Sequence, residues 1–196
     1  MNDTFGVQLM GHLKIHSPET GEIYLNKRNA IHYEAMSISL AEGLSNQGTG
    51  FISEMCFGNG GTFVDETGII TYLTPNTSGL NASLYNQTYQ KVVDQRSINN
   101  TDSARNRMEV RHVSGMTYTD ILVTCLLDYG EPDGQLAFDN ATAANDAFVF
   151  DELGLRAFSP EGQGRLLTHV IFHPIQKALN RLIQVDYTVR IQSLAG

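Results

Sequence analysis

A glycine-rich stretch between two apolar runs is the first place in this sequence where chemistry could occur. It reads MCFGNGGTFVDETGIITYLTPNT over residues 55–77. Such loops bind phosphate when they carry G-x-G-x-x-G between a strand and a helix, or a Gly-Lys-Ser/Thr sequence. Gly58 and Gly60 fit the first pattern, but Phe63 takes its third position, a strand pattern follows, and the stretch contains no lysine. We therefore predict a tight turn at 58–61 that uses positive backbone φ and binds no phosphate.

Two histidine pairs have the spacing of a possible metal site. His169 and His173 are four residues apart, and so are His12 and His16. On a helix, such a pair can bind one zinc ion, as in H-E-x-x-H sites. The residues between His169 and His173 are apolar and Pro174 follows, which favours a strand. On a strand the two side chains lie about 13 Å apart, at a rise of ~3.3 Å per residue. We predict structural or interface histidines rather than metal ligands.

Acidic pairs beside glycines are a third candidate for chemistry, because carboxylate oxygens in turns can bind Ca²⁺. The pairs are Asp65-Glu66, Glu131-x-Asp133 and Asp151-Glu152. None of them has the D-x-D-x-D-G spacing of a calcium loop. We predict that each pair caps a solvated turn.

No nucleophile is indicated by the sequence. It contains neither G-x-S-x-G nor a signature of a catalytic cysteine. Cys56 and Cys125 lie in apolar, strand-like runs and are predicted to be small buried residues, with a disulfide left open as the alternative. The sequence therefore predicts no catalytic, cofactor-binding or metal-binding residue, and it favours a protein that is not an enzyme.

The composition limits the partners that this chain can have. Its 196 residues, 41% of them hydrophobic, suit a single domain over 1–196. The net charge is −8, and the densest basic stretch, Arg105 to Arg111, is interrupted by Glu109, so no nucleic-acid partner is expected. No apolar run approaches 18 residues and the first residues lack a charged n-region, so we expect neither a membrane span nor a signal peptide.

The first half of the chain mixes strand, helix and polar patterns. Alternating apolar residues around the turn at 17–21 predict a hairpin over about 7–25. Residues 29–46 predict one amphipathic helix, with Asn29 as its N-cap. Residues 76–107 form a long polar excursion, with one strand near 88–94, which we expect to touch a neighbouring molecule.

The second half reads as a series of short strands separated by turns such as GEPDG at 130–134. The strand patterns are MEVRHV, YTDILVTCLLDY, QLAFDN, AFVFDELGL, LLTHVIFHPI and RLIQVDYTVRI. YTDILVTCLLDY is apolar on both faces and is predicted to be central. About eight to ten antiparallel strands in all predict a mainly β protein, either a β-sandwich or barrel-like.

Four stretches carry a resemblance to a known group of proteins. They are GHLKIHSPETGEIYLNKRNAIHYEAMSISLA, FGNGGT, ITYL and LLTHVIFHPIQKALNRLIQVDYTVRIQ. Over most of its length the chain resembles virion structural proteins of tailed bacteriophages. This resemblance rests on sequence texture and transfers no functional residue.

The resemblance implies a β-rich part of the virion, assembled in the bacterial cytoplasm and present in rings or arrays. Its partners would be copies of itself and other virion proteins, without nucleic acid or membrane. We expect a place in the neck, tail or baseplate, with head decoration as the nearest alternative. A carbohydrate-binding β-sandwich of a receptor-binding apparatus is the alternative from another class, and the absence of tryptophan weighs against it.

Overall fold

The structure, a computed structural model, describes residues 5–132, 147–178 and 180–195. Within these residues the chain is mainly β, with twelve strands and one helix. The elements are β1 (Phe5–His16), β2 (Ile23–Arg28), β3 (Ala30–Ile31), α1 (Tyr33–Leu44), β4 (Ile52–Gly58), β5 (Thr62–Val64), β6 (Ile70–Tyr72), β7 (Gln87–Val92), β8 (Arg107–His112), β9 (Tyr118–Leu127), β10 (Ala147–Ala157), β11 (Thr168–Ala178) and β12 (Ile183–Ala195).

Ten of these strands form two five-stranded antiparallel sheets. Sheet I has the order β2-β1-β12-β9-β8, and sheet II has the order β3-β11-β10-β4-β7, while β5 and β6 pair only with each other. One hydrophobic core takes residues from both sheets, which is the arrangement of a β-sandwich. The predicted mainly β, antiparallel architecture is confirmed. So is the hairpin over 7–25, which is β1–β2. The strand predicted to be central is β9, an internal strand between β12 and β8.

Sheet I follows directly from alternation in the sequence. On β12, Val185 and Tyr187 have no exposed surface, while the intervening Asp186 is partly exposed. Asp186 is within 2.9 Å of His16 Nε2 on the solvent side of the sheet. This sheet therefore buries one face, as period-two strands do.

Sheet II is buried on both faces along its central strand. Every residue of β10 from Phe150 to Ala157 is buried, polar ones included. The outer face is covered because a small second cluster, Cys56, Leu84 and Leu166, packs there. An added Cβ on Gly154 would stand 2.7 Å from Cδ1 of Leu166 and 3.3 Å from Cδ2 of Leu84. The cover over this face is therefore close to the backbone and tightly packed.

The helix prediction over 29–46 is wrong in its bounds. Asn29 does not cap α1, because Ala30 and Ile31 form β3 and pair with β11. The N-cap is His32, whose Nδ1 accepts a hydrogen bond from the amide of Ala35 at 3.1 Å. The helix ends at Leu44. Its buried residues are only Ala35, Met36 and Ser39, so it packs against the sandwich through a narrow stripe.

The polar segment 76–107 is folded onto the sandwich over most of its length. Its predicted strand near 88–94 is present as β7, the edge strand of sheet II. Leu84, Val93 and Asn106 within it are buried, and Asn106 Oδ1 accepts a hydrogen bond from the amide of Leu126 at 2.9 Å. The strand predicted over 135–140 and part of the turn at 130–134 lie outside the described residues.

Candidate functional site

The most concentrated group of buried titratable side chains lies at the glycine-rich loop. Asp151 and Glu152 occupy consecutive positions of β10 and are 3% and 0% exposed. Consecutive strand residues normally point to opposite faces. Here the register of β10 against β11 shifts between Phe150 and Glu152, a β-bulge of the kind that redirects a side chain. Both carboxylates reach the same loop. The prediction that this pair caps a solvated turn is wrong.

Asp151 binds the end of the glycine-rich loop. Its Oδ1 accepts a hydrogen bond from the amide of Gly61 at 2.9 Å. Its Oδ2 accepts two from Thr62, at 2.9 Å from the amide and 2.5 Å from the hydroxyl. Burial raises the pKa of this carboxyl, and the three hydrogen bonds offset that effect only in part.

Glu152 binds two loops and a histidine. Its Oε1 accepts hydrogen bonds from the amides of Asn86 and Gly60, at 2.7 and 3.2 Å. Its Oε2 lies 2.9 Å from both the amide of Tyr85 and His169 Nε2. Burial alone would raise the pKa of this carboxyl. The hydrogen bonds from His169, Asn86 and Tyr85 outweigh burial, so the pKa lies below its ordinary value.

The hydrogen bonds of His169 define its tautomer. The amide of Asn76 donates to Nδ1 at 2.8 Å, so Nδ1 carries a lone pair. The proton of the neutral ring then lies on Nε2 and is donated to Glu152. The ring is fully buried and packs near Tyr85, with 5.6 Å between ring centroids. Both ring nitrogens of His169 are therefore hydrogen-bonded within the protein.

The glycines of the loop are required by close packing rather than by positive φ. An added Cβ on Gly58 would stand 2.4 Å from Glu152 Oε1 and 2.5 Å from the backbone oxygen of Asn86. One on Gly60 would stand 2.7 Å from the amide nitrogen of Asn86. Neither these two nor Gly61 has positive φ. The prediction of a turn with positive φ is wrong. The loop binds anionic groups through its amides, and those groups are the chain's own carboxylates.

The other residues that the sequence singled out are dispersed. His169 and His173 do not act together, since His173 is exposed and its Nδ1 is 3.1 Å from Tyr72 Oη. Asp65 caps a solvated turn as predicted, and its Oδ1 accepts a hydrogen bond from the amide of Thr67 at 2.8 Å. Cys56 and Cys125 are buried and free, as predicted.

Among the described residues, the basic stretch and the acidic pair at 131–133 form no site with the groups above. Arg105 and Arg111 form ion pairs with Asp102 and Glu109. Asp133 lies outside the described residues. Over 5–132, 147–178 and 180–195, no three His, Cys, Asp or Glu side chains are grouped to hold a metal ion.

This buried carboxylate network can position backbone segments but cannot reach a substrate. Asp151, Glu152 and His169 are all buried, and each is bonded to backbone amides. The amides belong to three segments that are far apart in sequence, at 60–62, 85–86 and 76. Leu73, which directly follows β6, is also held, because its amide donates a hydrogen bond to the backbone oxygen of Gly61 at 2.9 Å. The network therefore fixes both ends of the β5–β6 hairpin.

We expect Glu152→Gln to lower the free energy of unfolding by about 2–3 kcal/mol. The new amide group would direct an N–H₂ toward backbone donors that Glu152 now accepts from, leaving buried donors unpaired. Equilibrium unfolding in urea measures this change. Glu161→Gln is the matched control, because Glu161 is exposed in a loop, and its effect should stay within about 0.5 kcal/mol. Equal effects of the two changes would contradict the role of Glu152.

The stabilisation by Glu152 should depend on pH. A carboxyl whose pKa is lowered on folding stabilises the native state above its unfolded pKa, about 4.5, and loses this effect as pH falls through the native pKa. The difference in unfolding free energy between the natural chain and Glu152→Gln should be constant from pH 7 to pH 5 and shrink below it. Urea unfolding at several pH values would show this, and a difference that grows on acidification would refute it.

Comparison of the chain with protein-family models, curated proteins and solved structures finds no match. In the part of the chain that the structure describes, no helix has the length and apolar character needed to cross a membrane.

Proposed function

We propose that this chain is a non-enzymatic structural subunit of a tailed bacteriophage particle. It belongs to the neck, tail or baseplate and assembles through contacts with copies of itself and with other virion proteins. The observation that carries the proposal is the β5–β6 hairpin, whose apolar side chains are exposed and whose base is fixed by the buried carboxylate network.

The hairpin is apolar on both of its faces. Its strands pair Thr62 with Tyr72 and Val64 with Ile70, and neither strand joins one of the two sheets. Phe63 and Val64 are consecutive and so point to opposite sides, yet they are 50% and 65% exposed. Ile69 at the tip is 62% exposed. Contiguous exposed apolar surface on a soluble domain marks an interaction site, and a partner protein would cover both faces.

The base of the hairpin is built to be rigid. Asp151 holds Gly61 and Thr62 at the start of β5. The amide of Leu73, just after β6, donates to the oxygen of Gly61. A surface that is ordered before it binds loses less conformational entropy on association. Such a preformed contact point suits a subunit that must join many identical neighbours.

The use of the buried titratable residues supports a structural rather than a catalytic role. Asp151, Glu152 and His169 have their hydrogen-bonding atoms paired with backbone amides or with each other. A catalytic acid or base must reach a reacting group, and these three side chains are 3% exposed or less.

The proposal is tested by locating the chain in particles. Virions of the phage that encodes it would be separated into heads and tails and analysed by mass spectrometry, followed by a particle reconstruction that counts copies. We expect the chain in the tail fraction, in multiples of the local symmetry. Its presence in heads alone would transfer the assignment to head decoration. Its absence from every particle fraction would refute a structural role.

The hairpin should be needed for assembly but not for folding. Phe63→Asp places a charge on the proposed contact, so it should strongly reduce incorporation into particles when the variant complements a phage lacking the gene. Ile98→Asp is the matched control, since Ile98 is 98% exposed on another loop. Both variants should keep the thermal unfolding midpoint of the natural chain. Normal incorporation of Phe63→Asp would exclude the hairpin as the contact.

A further inference from the structure

A second feature, distant from the buried carboxylate network, is an apolar cavity at the α1 end of the sandwich. It has a volume of about 370 Å³ and opens between the two sheets. Its walls are aliphatic: Leu9, Ile121 and Val189 come from sheet I, while Met36 and Leu40 come from α1. This volume is at the lower end of the range for small-molecule sites, roughly 300–1,000 Å³. The cavity therefore suits a small, mainly apolar ligand.

One polar group in the wall has no partner in the protein. Ser39 lines the cavity from α1 and is 3% exposed, and its hydroxyl oxygen makes no hydrogen bond with any described residue. Buried hydroxyls are nearly always paired, because an unpaired one loses its hydration without compensation. A ligand oxygen in the cavity would provide the missing partner.

The guanidinium group of Arg96 lies at the rim of this cavity. The guanidinium carbon of Arg96 is 5.4 Å from the ring centroid of Phe51. Its Nε donates to Asp94 at 3.2 Å, while Nη1 and Nη2 have no hydrogen bond among the described residues. The backbone of Ser39 lies beside the neighbouring residue, since an added Cβ on Gly50 would stand 2.5 Å from the Ser39 carbonyl oxygen. Ser39 and Arg96 both line the cavity, and each adjoins the segment 50–51.

The rim is held in place by the chain itself. The side chain of Gln95 donates to the oxygen of Met108 at 3.1 Å and accepts from the amide of Met108 at 3.0 Å. This pair of hydrogen bonds ties the loop that carries Arg96 to the edge strand β8. The mouth of the cavity is thus preformed, which favours binding of a ligand over closure of the gap.

We propose that this cavity binds an aliphatic carboxylate of medium chain length. The hydrocarbon chain lies between the sheets, and the carboxylate sits near residues 50–51. There it accepts hydrogen bonds from the Ser39 hydroxyl and from the terminal nitrogens of Arg96, which match the two oxygens of a carboxylate. This binding site is independent of the assembly role proposed above.

Decanoate is the test ligand and decan-1-ol, which has the same chain without the charge, is its comparison. Binding to the full chain is measured by isothermal titration calorimetry and by NMR shifts of the Met36 and Met108 methyl groups. Arg96→Gln should weaken decanoate about tenfold, the loss expected for one hydrogen bond to a charged group, and leave decan-1-ol unchanged. Arg107 is exposed on the outer face of β8, so Arg107→Gln should change the affinity for neither ligand.

Val110→Trp tests the location without disturbing the core. Val110 lines the mouth and is 70% exposed, so the larger side chain narrows the entrance while folding is retained, which thermal unfolding checks. This substitution should weaken the binding of both decanoate and decan-1-ol. No saturable binding of decanoate, or binding that Val110→Trp leaves intact, would overturn the proposal. If Val110→Trp instead abolished self-association in light scattering, the cavity would hold a neighbouring copy and the proposal would be wrong.

Discussion

The carboxylate of Glu152 is the group on which the outer half of this fold depends. A carboxylate without solvent contact is strongly unfavourable unless donors surround it. The donors come from Gly60, Asn86 and His169, which belong to separate parts of the sequence. Burying the charge and closing the loops over sheet II must therefore happen together. Because Asp151 beside it binds Gly61 and Thr62, the same step orders the base of the β5–β6 hairpin.

This coupling explains how an apolar hairpin that belongs to neither large sheet is ordered beside β11. A two-stranded ribbon is marginal by itself in water, and the exposed Phe63 and Val64 gain little from burial within the monomer. The hairpin is ordered at its base by hydrogen bonds to buried charges, and its apolar surface remains available. The exposed side chains of the hairpin can therefore change with little effect on folding, whereas loss of the buried carboxylates would also disturb the base of the hairpin.

The long strands β1 and β12 were predictable from the sequence because buried and more exposed residues alternate along them, as Val185, Asp186 and Tyr187 show on β12. The buried carboxylate network was not predictable from the sequence, because Asp151 and Glu152 resemble an acidic turn beside Gly154. The signal that was available is their place inside the apolar run AFVFDELGL, where a charged pair must find partners. The start of α1 was missed for a similar reason. Asn29 has the right side chain for a cap, but the pairing of Ala30 with His169 depends on a strand far away in sequence.

The side chain of Gln95 blocks part of the β8 edge of sheet I. It occupies the outward-facing amide and carbonyl of Met108 as a neighbouring strand would. In an antiparallel ladder, alternate residues face outward, so the next outward groups on β8 belong to Val110 and His112. Any strand that extended this sheet would be excluded from Met108 and would have to begin at Val110. One glutamine thus shortens the open edge and limits the registers in which another chain could join it.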